Sequence, residues 1–136
     1  MSGRVFLDTN IFIHAYDTPR EWKGKDSAKL IERIIKGEQK AATSYLVLNE
    51  VLYYYMREGR DEEAKRFWDN ATNMHNLSIL PIDQKAGAHV MEFISEGLDA
   101  TDAFHAAVMA ANGIETICSY DKAFDKIKGI KRQEPK

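Results

Sequence analysis

The sequence predicts an α/β protein, a three-layer α/β/α sandwich built around a central, mainly parallel sheet. Short apolar runs rich in branched residues alternate along the chain with segments whose apolar residues recur every three or four positions. Such alternation of strands and helices is typical of a parallel sheet that helices cover on both faces. The length of 136 residues is that of one domain, so we assign residues 1–136 to a single domain.

The predicted strands are short, and most of them lead into a polar or acidic residue. Val5–Leu7 comes first and runs directly into Asp8. The carboxyl ends of parallel strands lie at one edge of the sheet, where α/β proteins bind their ligands. The other strands are predicted over residues 40–43, 77–82 and 114–119, with a last, short strand within residues 127–132.

The predicted helices are marked by apolar stripes and by capping residues. A loop is predicted over residues 17–26, because this segment contains Pro19 and Gly24. Ser44 and Thr101 are suitable N-caps, since their hydroxyl groups can accept a hydrogen bond from the first turn. The predicted helices begin near residue 9 and then cover residues 30–35, 45–57, 61–75, 84–96 and 102–112.

Composition and charge narrow the range of functions. The net charge of -2 argues against a protein that coats nucleic acid non-specifically, although it does not exclude a nuclease. A run of ~18 apolar residues, as a membrane helix needs, is absent from the sequence, and the start MSGRVFLD lacks the apolar core of a secretory signal. We therefore expect a cytoplasmic protein. The lone cysteine, Cys118, lies in an apolar run and is interpreted as a buried, reduced side chain.

Four carboxylates follow apolar runs in a way that predicts a metal site. They belong to Asp8, Glu50, Asp102 and Asp121. Each has an ordinary alternative role as a helix cap, a surface residue, a partner of the helix dipole or a turn residue. Together, however, convergent carboxylates repel one another, and a hard divalent cation neutralises them. Glu50 is the most informative, because a carboxylate among apolar neighbours needs a partner.

Four segments of the chain resemble the signatures of PIN-domain ribonucleases, in the order that this family has them. They are FLDTNIFIH, NEVLYYY, TDAFHAAVMAANG and ICSYDKAFDKI. The resemblance covers almost the whole chain, and the compact size and the ending IKGIKRQEP resemble VapC-like toxins of type II toxin-antitoxin modules. It implies a PIN-like domain that cuts RNA, a cognate antitoxin as partner, and a homodimer without membrane attachment.

The resemblance also implies roles for individual residues. The four carboxylates would hold Mg2+ or Mn2+ and serve catalysis, as hard cations take oxygen ligands. Asn10 matches the polar residue that fixes the first loop, and Ser119 matches a hydroxyl residue that orients a carboxylate or touches substrate. Asp125 is an accessory candidate, with a surface role as the alternative. His105 is interpreted as a packing or positioning residue rather than a ligand.

Three alternatives stay open on the sequence alone. A phosphatase of the haloacid dehalogenase type also begins with a strand and an Asp, but it needs a second Asp where this chain has Asn10. An inactive PIN-like interaction module would lack metal binding, and an RNA-processing PIN nuclease would lack an antitoxin. Trp22 either stacks on a base, anchors an antitoxin or covers a small core, and at least one residue of Tyr53, Tyr54 and Tyr55 is expected to be exposed.

Overall fold

A five-stranded, fully parallel sheet lies at the centre of the structure, a computed structural model that describes residues 3–135. The strand order is β3-β2-β1-β4-β5, and the three-layer α/β/α prediction is confirmed. The strands are β1 (Val5–Leu7), β2 (Ala41–Ser44), β3 (Leu77–Leu80), β4 (Thr116–Cys118) and β5 (Lys131–Gln133).

The first strand occupies the middle of the sheet and sets the position of the site. Val5 pairs with Ala41 of β2 on one side and with Thr116 of β4 on the other. All residues of β1 and β2 are buried, because helices cover both faces. The strand order reverses between β1 and β4, and in such sheets the ligand crevice lies outside the carboxyl ends at this switch point.

The strands are connected mainly by helices. None of the helices found within residues 3–135 is long and apolar enough to cross a membrane. A 3-10 helix (Lys122–Lys126) follows β4. The α-helices are α1 (Thr9–Asp17), α2 (Trp22–Ile35), α3 (Tyr45–Met56), α4 (Asp61–Thr72), α5 (Gln84–Gly87), α6 (Val90–Ser95) and α7 (Ala100–Ala111).

The predicted loop over residues 17–26 is wrong for most of its length, because α1 continues to Asp17 and α2 already begins at Trp22. Gly24 lies inside α2, where its role is steric. A Cβ atom at this position would lie 1.8 Å from the carbonyl oxygen of Thr18. Glycine therefore permits the close approach of α2 to the end of α1, and it does not interrupt the helix here.

Two other helix predictions also require correction. The single helix predicted over residues 84–96 is two short helices, α5 and α6, and both pack against α7. The cap of α7 is Asp99 rather than Thr101, since Asp99 Oδ1 accepts a hydrogen bond from the Asp102 amide at 2.9 Å. The cap at Ser44 is confirmed by its 3.2 Å hydrogen bond from the Val47 amide. Some other predicted ends, such as those of β1, match the structure, and the rest shift by one to several residues.

Arg60 holds together the ends of three helices away from the sheet edge. It precedes α4, and its guanidinium contacts Asp17 at the end of α1, Glu58 after α3 and Glu63 in α4. The hydroxyl group of Tyr54 also donates a hydrogen bond to Asp17. The hydrogen bonds from Arg60 hold the pKa of Asp17 below its usual value despite partial burial. We call these residues the Arg60 cluster.

Candidate active site

Asp8 lies at the carboxyl end of the central strand and is almost fully buried. The residue is 5% exposed, and its side chain caps α1, since Oδ1 accepts a hydrogen bond from the Thr9 amide at 2.8 Å. Its Oδ2 accepts a 2.6 Å hydrogen bond from the Ser119 hydroxyl and a 3.3 Å bond from Asn10 Nδ2. Burial raises the pKa of Asp8 even though these donors favour the charged form.

Glu50 approaches the same place from the middle of α3, and it has the partners that its apolar surroundings predict. Its Oε1 accepts hydrogen bonds from the Thr9 hydroxyl at 2.7 Å and from His105 Nε2 at 2.8 Å. Burial alone would raise the pKa of Glu50, but these bonds lower it. These hydrogen bonds therefore favour the charged form of Glu50.

Asp102 is half-buried in the first turn of α7, and uncompensated negative charge surrounds it. Burial, followed by the carboxylates of Asp99, Asp8 and Asp121, raises the pKa of Asp102 to about 7. His105 opposes this shift only weakly. Asp8 and Asp121 both contribute to this shift, and Asp8 and Glu50 approach the same His105 Nε2, at 3.8 and 2.8 Å. We call Asp8, Glu50, Asp102 and Asp121 the acidic cluster.

Ser119 and Asn10 connect the two sides of the switch point. The Ser119 hydroxyl donates to Asp8 and accepts hydrogen bonds from the Asp121 amide at 3.0 Å and from Asn10 Nδ2 at 3.2 Å. Asn10 Oδ1 accepts from the Tyr120 amide at 3.1 Å. Asn10 and Ser119 thus fix the loop after β4 against the start of α1, in the positions where the sequence predicted supporting roles.

His105 and Thr9 hold Glu50 in place through hydrogen bonds, and His105 also lies close to Asp8. The His105 side chain is 1% exposed, and its Nε2 lies 2.8 Å from Glu50 Oε1 and 3.8 Å from Asp8 Oδ1. Burial would lower the pKa of His105, but these carboxylates raise it. This geometry agrees with the predicted positioning role. Sequence reasoning did not single out Thr9, although its place directly after Asp8 was the signal that could have identified it.

Asp125 is not brought into the acidic cluster. Its two carboxylate oxygens accept hydrogen bonds from Arg132 at 2.7 and 3.2 Å, and its side chain is 52% exposed. Arg132 also donates to the carbonyl of Ser119 at 3.0 Å. The geometry therefore gives Asp125 the role of a partner for Arg132, which corresponds to the surface alternative. Cys118 is buried and free, and burial raises its pKa to about 11.

The acidic cluster has the donors for a hard cation, but its side chains are not closed into a coordination shell. Among residues 3–135, no three carboxylate, imidazole or thiol side chains are arranged to hold a metal ion. Asp8 and Glu50 instead direct oxygen atoms toward protein donors. All four candidate ligands are nevertheless carboxylates, the ligand type that Mg2+ and Mn2+ prefer, and Asp102 experiences unneutralised negative charge.

A parallel α/β sheet with carboxylates at its switch point defines a class of proteins that bind charged ligands or metals at this edge. The particular family follows from comparison with known proteins. The family model described as "PIN domain" matches residues 5–130, and the chain therefore belongs to the PIN-domain family.

Relatives and solved structures agree with this assignment. The chain is 29% identical over 130 residues to a VapC ribonuclease of Mycobacterium bovis, covering 94% of this chain and 98% of the relative. The structure resembles VapBC2 from Rickettsia felis, crystallised with a promoter DNA fragment, with a TM-score of 0.74, 20% identity and coverage of 97% and 98%. A toxin-antitoxin complex from Klebsiella pneumoniae gives a TM-score of 0.65, 17% identity and coverage of 93% and 94%.

Proposed function

We propose that this PIN-domain protein is an endoribonuclease that hydrolyses RNA phosphodiester bonds with the help of Mg2+ or Mn2+. The observation that carries the proposal is the acidic cluster at the switch point, where burial and neighbouring carboxylates raise the pKa of Asp102 to about 7. The VapC ribonuclease of Mycobacterium bovis is similar to nearly the whole chain, which supports the same reaction.

The metal would be held by oxygen atoms of Asp8, Glu50, Asp102 and Asp121. When bound, Mg2+ or Mn2+ lowers the pKa of a bound water and offsets the charge that develops on phosphate oxygens. The raised pKa of Asp102 is the electrostatic reason for the cluster to accept a cation.

The remaining groups keep the carboxylates oriented toward the substrate. Ser119 and Asn10 hold Asp8, while Thr9 and His105 hold Glu50 in its charged form. A carboxylate of the cluster accepts the proton of the attacking water, directly or through a second water. No side chain is required as a nucleophile, because water attacks the phosphorus and the ribose oxygen leaves.

We extend the proposal to the partners. The structural neighbour from Klebsiella pneumoniae is a toxin-antitoxin complex, and the VapBC2 structure belongs to a similar pair. These neighbours support the role of a toxin that a cognate antitoxin restrains. A homodimer in the cytoplasm completes the proposal, and sedimentation of the purified chain would test the dimer separately.

The test is cleavage of a mixed pool of single-stranded and structured RNA by the purified protein with Mg2+, Mn2+ or EDTA. Asp8→Asn removes one carboxylate charge from the cluster. Asp69→Asn is the matched control, since Asp69 is an exposed residue of α4 outside the cluster. We expect metal-dependent cleavage by the wild type and by Asp69→Asn, and none by Asp8→Asn.

Two results would contradict the proposed chemistry, and a third would contradict the proposed antitoxin partner. Equal cleavage by Asp8→Asn would remove the acidic cluster from the reaction. Absence of both cleavage and Mn2+ binding would favour the inactive interaction module. If the protein cleaves RNA but its own gene has no neighbouring gene for an inhibitory partner, an RNA-processing nuclease would be favoured.

A further inference from the structure

We propose that Trp22 and Tyr120, together with Lys23, form a stacking site for one unpaired RNA base next to the acidic cluster. The proposal rests on the ribonuclease function and adds to it a subsite that binds one base of the substrate. It also assigns a binding role to side chains that the chemistry of the cluster does not use.

The three side chains form two perpendicular aromatic rings, those of Trp22 and Tyr120, with the ammonium group of Lys23 next to both. We call them the aromatic corner. The rings of Trp22 and Tyr120 meet edge to face, with centroids 6.0 Å apart and an interplanar angle of 89°. Lys23 Nζ lies 5.5 Å from the centre of the Trp22 ring and 5.0 Å from that of Tyr120. The His14 ring packs against the Tyr120 ring, with the two ring centroids 5.3 Å apart, and so helps to hold Tyr120 in place.

Exposure indicates that Trp22 serves more than folding. Trp22 lies at the beginning of α2 and is 62% exposed. Tyr120 is half-buried, and its hydroxyl group donates a 3.2 Å hydrogen bond to the Lys23 carbonyl. Lys23 Nζ covers one face of the indole, so a base would stack on the other face while the cation attracts the adjacent phosphate. Trp22 differs from the similarly exposed Tyr53 because it meets a second aromatic ring and a lysine ammonium group.

The position of the corner connects it to the reaction. Tyr120 lies between Ser119, which donates a hydrogen bond to Asp8, and Asp121 of the acidic cluster. Its amide is fixed by Asn10 Oδ1 at 3.1 Å. A phosphate at the cluster would therefore bring a neighbouring nucleotide to the aromatic corner. Paired bases cannot reach such a platform, because they are already stacked within a helix.

The first experiment follows the fluorescence of Trp22 in the full-length protein. The chain contains two tryptophans, so Trp68→Phe leaves Trp22 as the reporter and Trp22→Phe leaves Trp68 as the control. Each variant is titrated with a short oligoadenylate and with a duplex RNA of the same length, in EDTA. We expect saturable quenching of Trp22 by the single strand only, and no quenching of Trp68.

The second experiment separates binding from chemistry. Trp22→Ala should raise the KM for a single-stranded substrate by about tenfold with kcat nearly unchanged, and Trp22→Phe should restore most of the loss. Unchanged Trp22 fluorescence and an unchanged KM, in a protein that still cleaves RNA, would overturn the stacking site alone and leave Trp22 as a contact for a protein partner. Quenching without any cleavage by the wild type would support stacking and reject the ribonuclease proposal.

Discussion

The acidic cluster and the Arg60 cluster both gather carboxylates from several helices, but only one of them contains a strong permanent cation. Around Arg60, the guanidinium contacts three carboxylates and holds the pKa of Asp17 below its usual value. At the sheet edge, burial and the neighbouring carboxylates raise the pKa of Asp102 to about 7. The first arrangement stabilises helix ends, while the second leaves negative charge available for a ligand.

His105 does not remove this difference. Its ring contacts Glu50 at 2.8 Å and lies 3.8 Å from Asp8, yet it opposes the shift of Asp102 less than burial and three carboxylates promote it. Two carboxylates of the acidic cluster therefore differ in how their negative charge is compensated. Hydrogen-bond donors keep Glu50 charged. Asp102, in contrast, is surrounded by negative charge that a bound cation would offset.

The largest effect should be on RNA cleavage. Asp102→Asn should reduce the rate by ~100-fold or more, because it removes a charge that stabilises a bound cation and the transition state. Asp17→Asn, which alters the Arg60 cluster, should change the rate little. Initial rates on one RNA substrate at saturating Mn2+ give the comparison. Equal losses in the two variants would mean that the clusters do not differ in function.

A smaller loss of activity should follow from removing the bond between Thr9 and Glu50. Thr9→Val deletes the 2.7 Å hydrogen bond while keeping the side-chain volume, and we expect about a tenfold loss of activity or metal affinity. Thr9→Ser retains the hydroxyl group and serves as the control. Calorimetric Mn2+ titration and cleavage rates measure the two effects, and wild-type values for Thr9→Val would deny Thr9 a positioning role.

Thermal stability should respond in opposite directions at the two clusters. In metal-free buffer at neutral pH, Asp102→Asn should raise the melting temperature, because it relieves repulsion among the carboxylates. Asp17→Asn should lower it, because Arg60 and Tyr54 lose a charged acceptor. Scanning calorimetry of both variants measures the two melting temperatures. A decrease in both would contradict the predicted difference between the clusters.

The dependence of stability on pH should show the smallest difference. The pKa of Asp102 rises from 3.8 to about 7 on folding, so its contribution to stability is greatest below 3.8 and is lost as the pH rises through about 7. Asp17 has a lowered pKa, and its contribution is lost only as the pH falls below 3.8. Melting temperatures measured without metal across this range should decline less steeply in Asp102→Asn, and Mg2+ should reverse the wild-type decline.

Local sequence signals were sufficient for the strands and for most helices. Apolar runs identified β1 and β4, and Ser44 marked the start of α3. The start of α2 was missed because Gly24 is usually a sign of a loop, whereas here it admits the Thr18 carbonyl. That reason lies in packing between two helices, which a local pattern does not contain.

The candidate site was predictable to a similar extent. Asp8 and Asp121 come soon after parallel strands and therefore share an edge, which the strand ends could predict, whereas Glu50 and Asp102 lie in helices. Their hydrogen bonds could not, because Thr9 and Glu50 are 41 residues apart and Glu50 and His105 are 55 apart. The pairing of Asp125 with Arg132 similarly depends on how the 3-10 helix returns to β5.

The central position of β1 also has a consequence for the order of events during synthesis. Asp8 emerges from the ribosome early, but the Ser119 hydroxyl that holds it lies 111 residues later. Contacts between such distant parts of a chain form late, because a long loop must close first. The growing polypeptide therefore cannot assemble its acidic cluster until translation has passed β4, and any catalytic activity of the cluster begins only after that strand has been made.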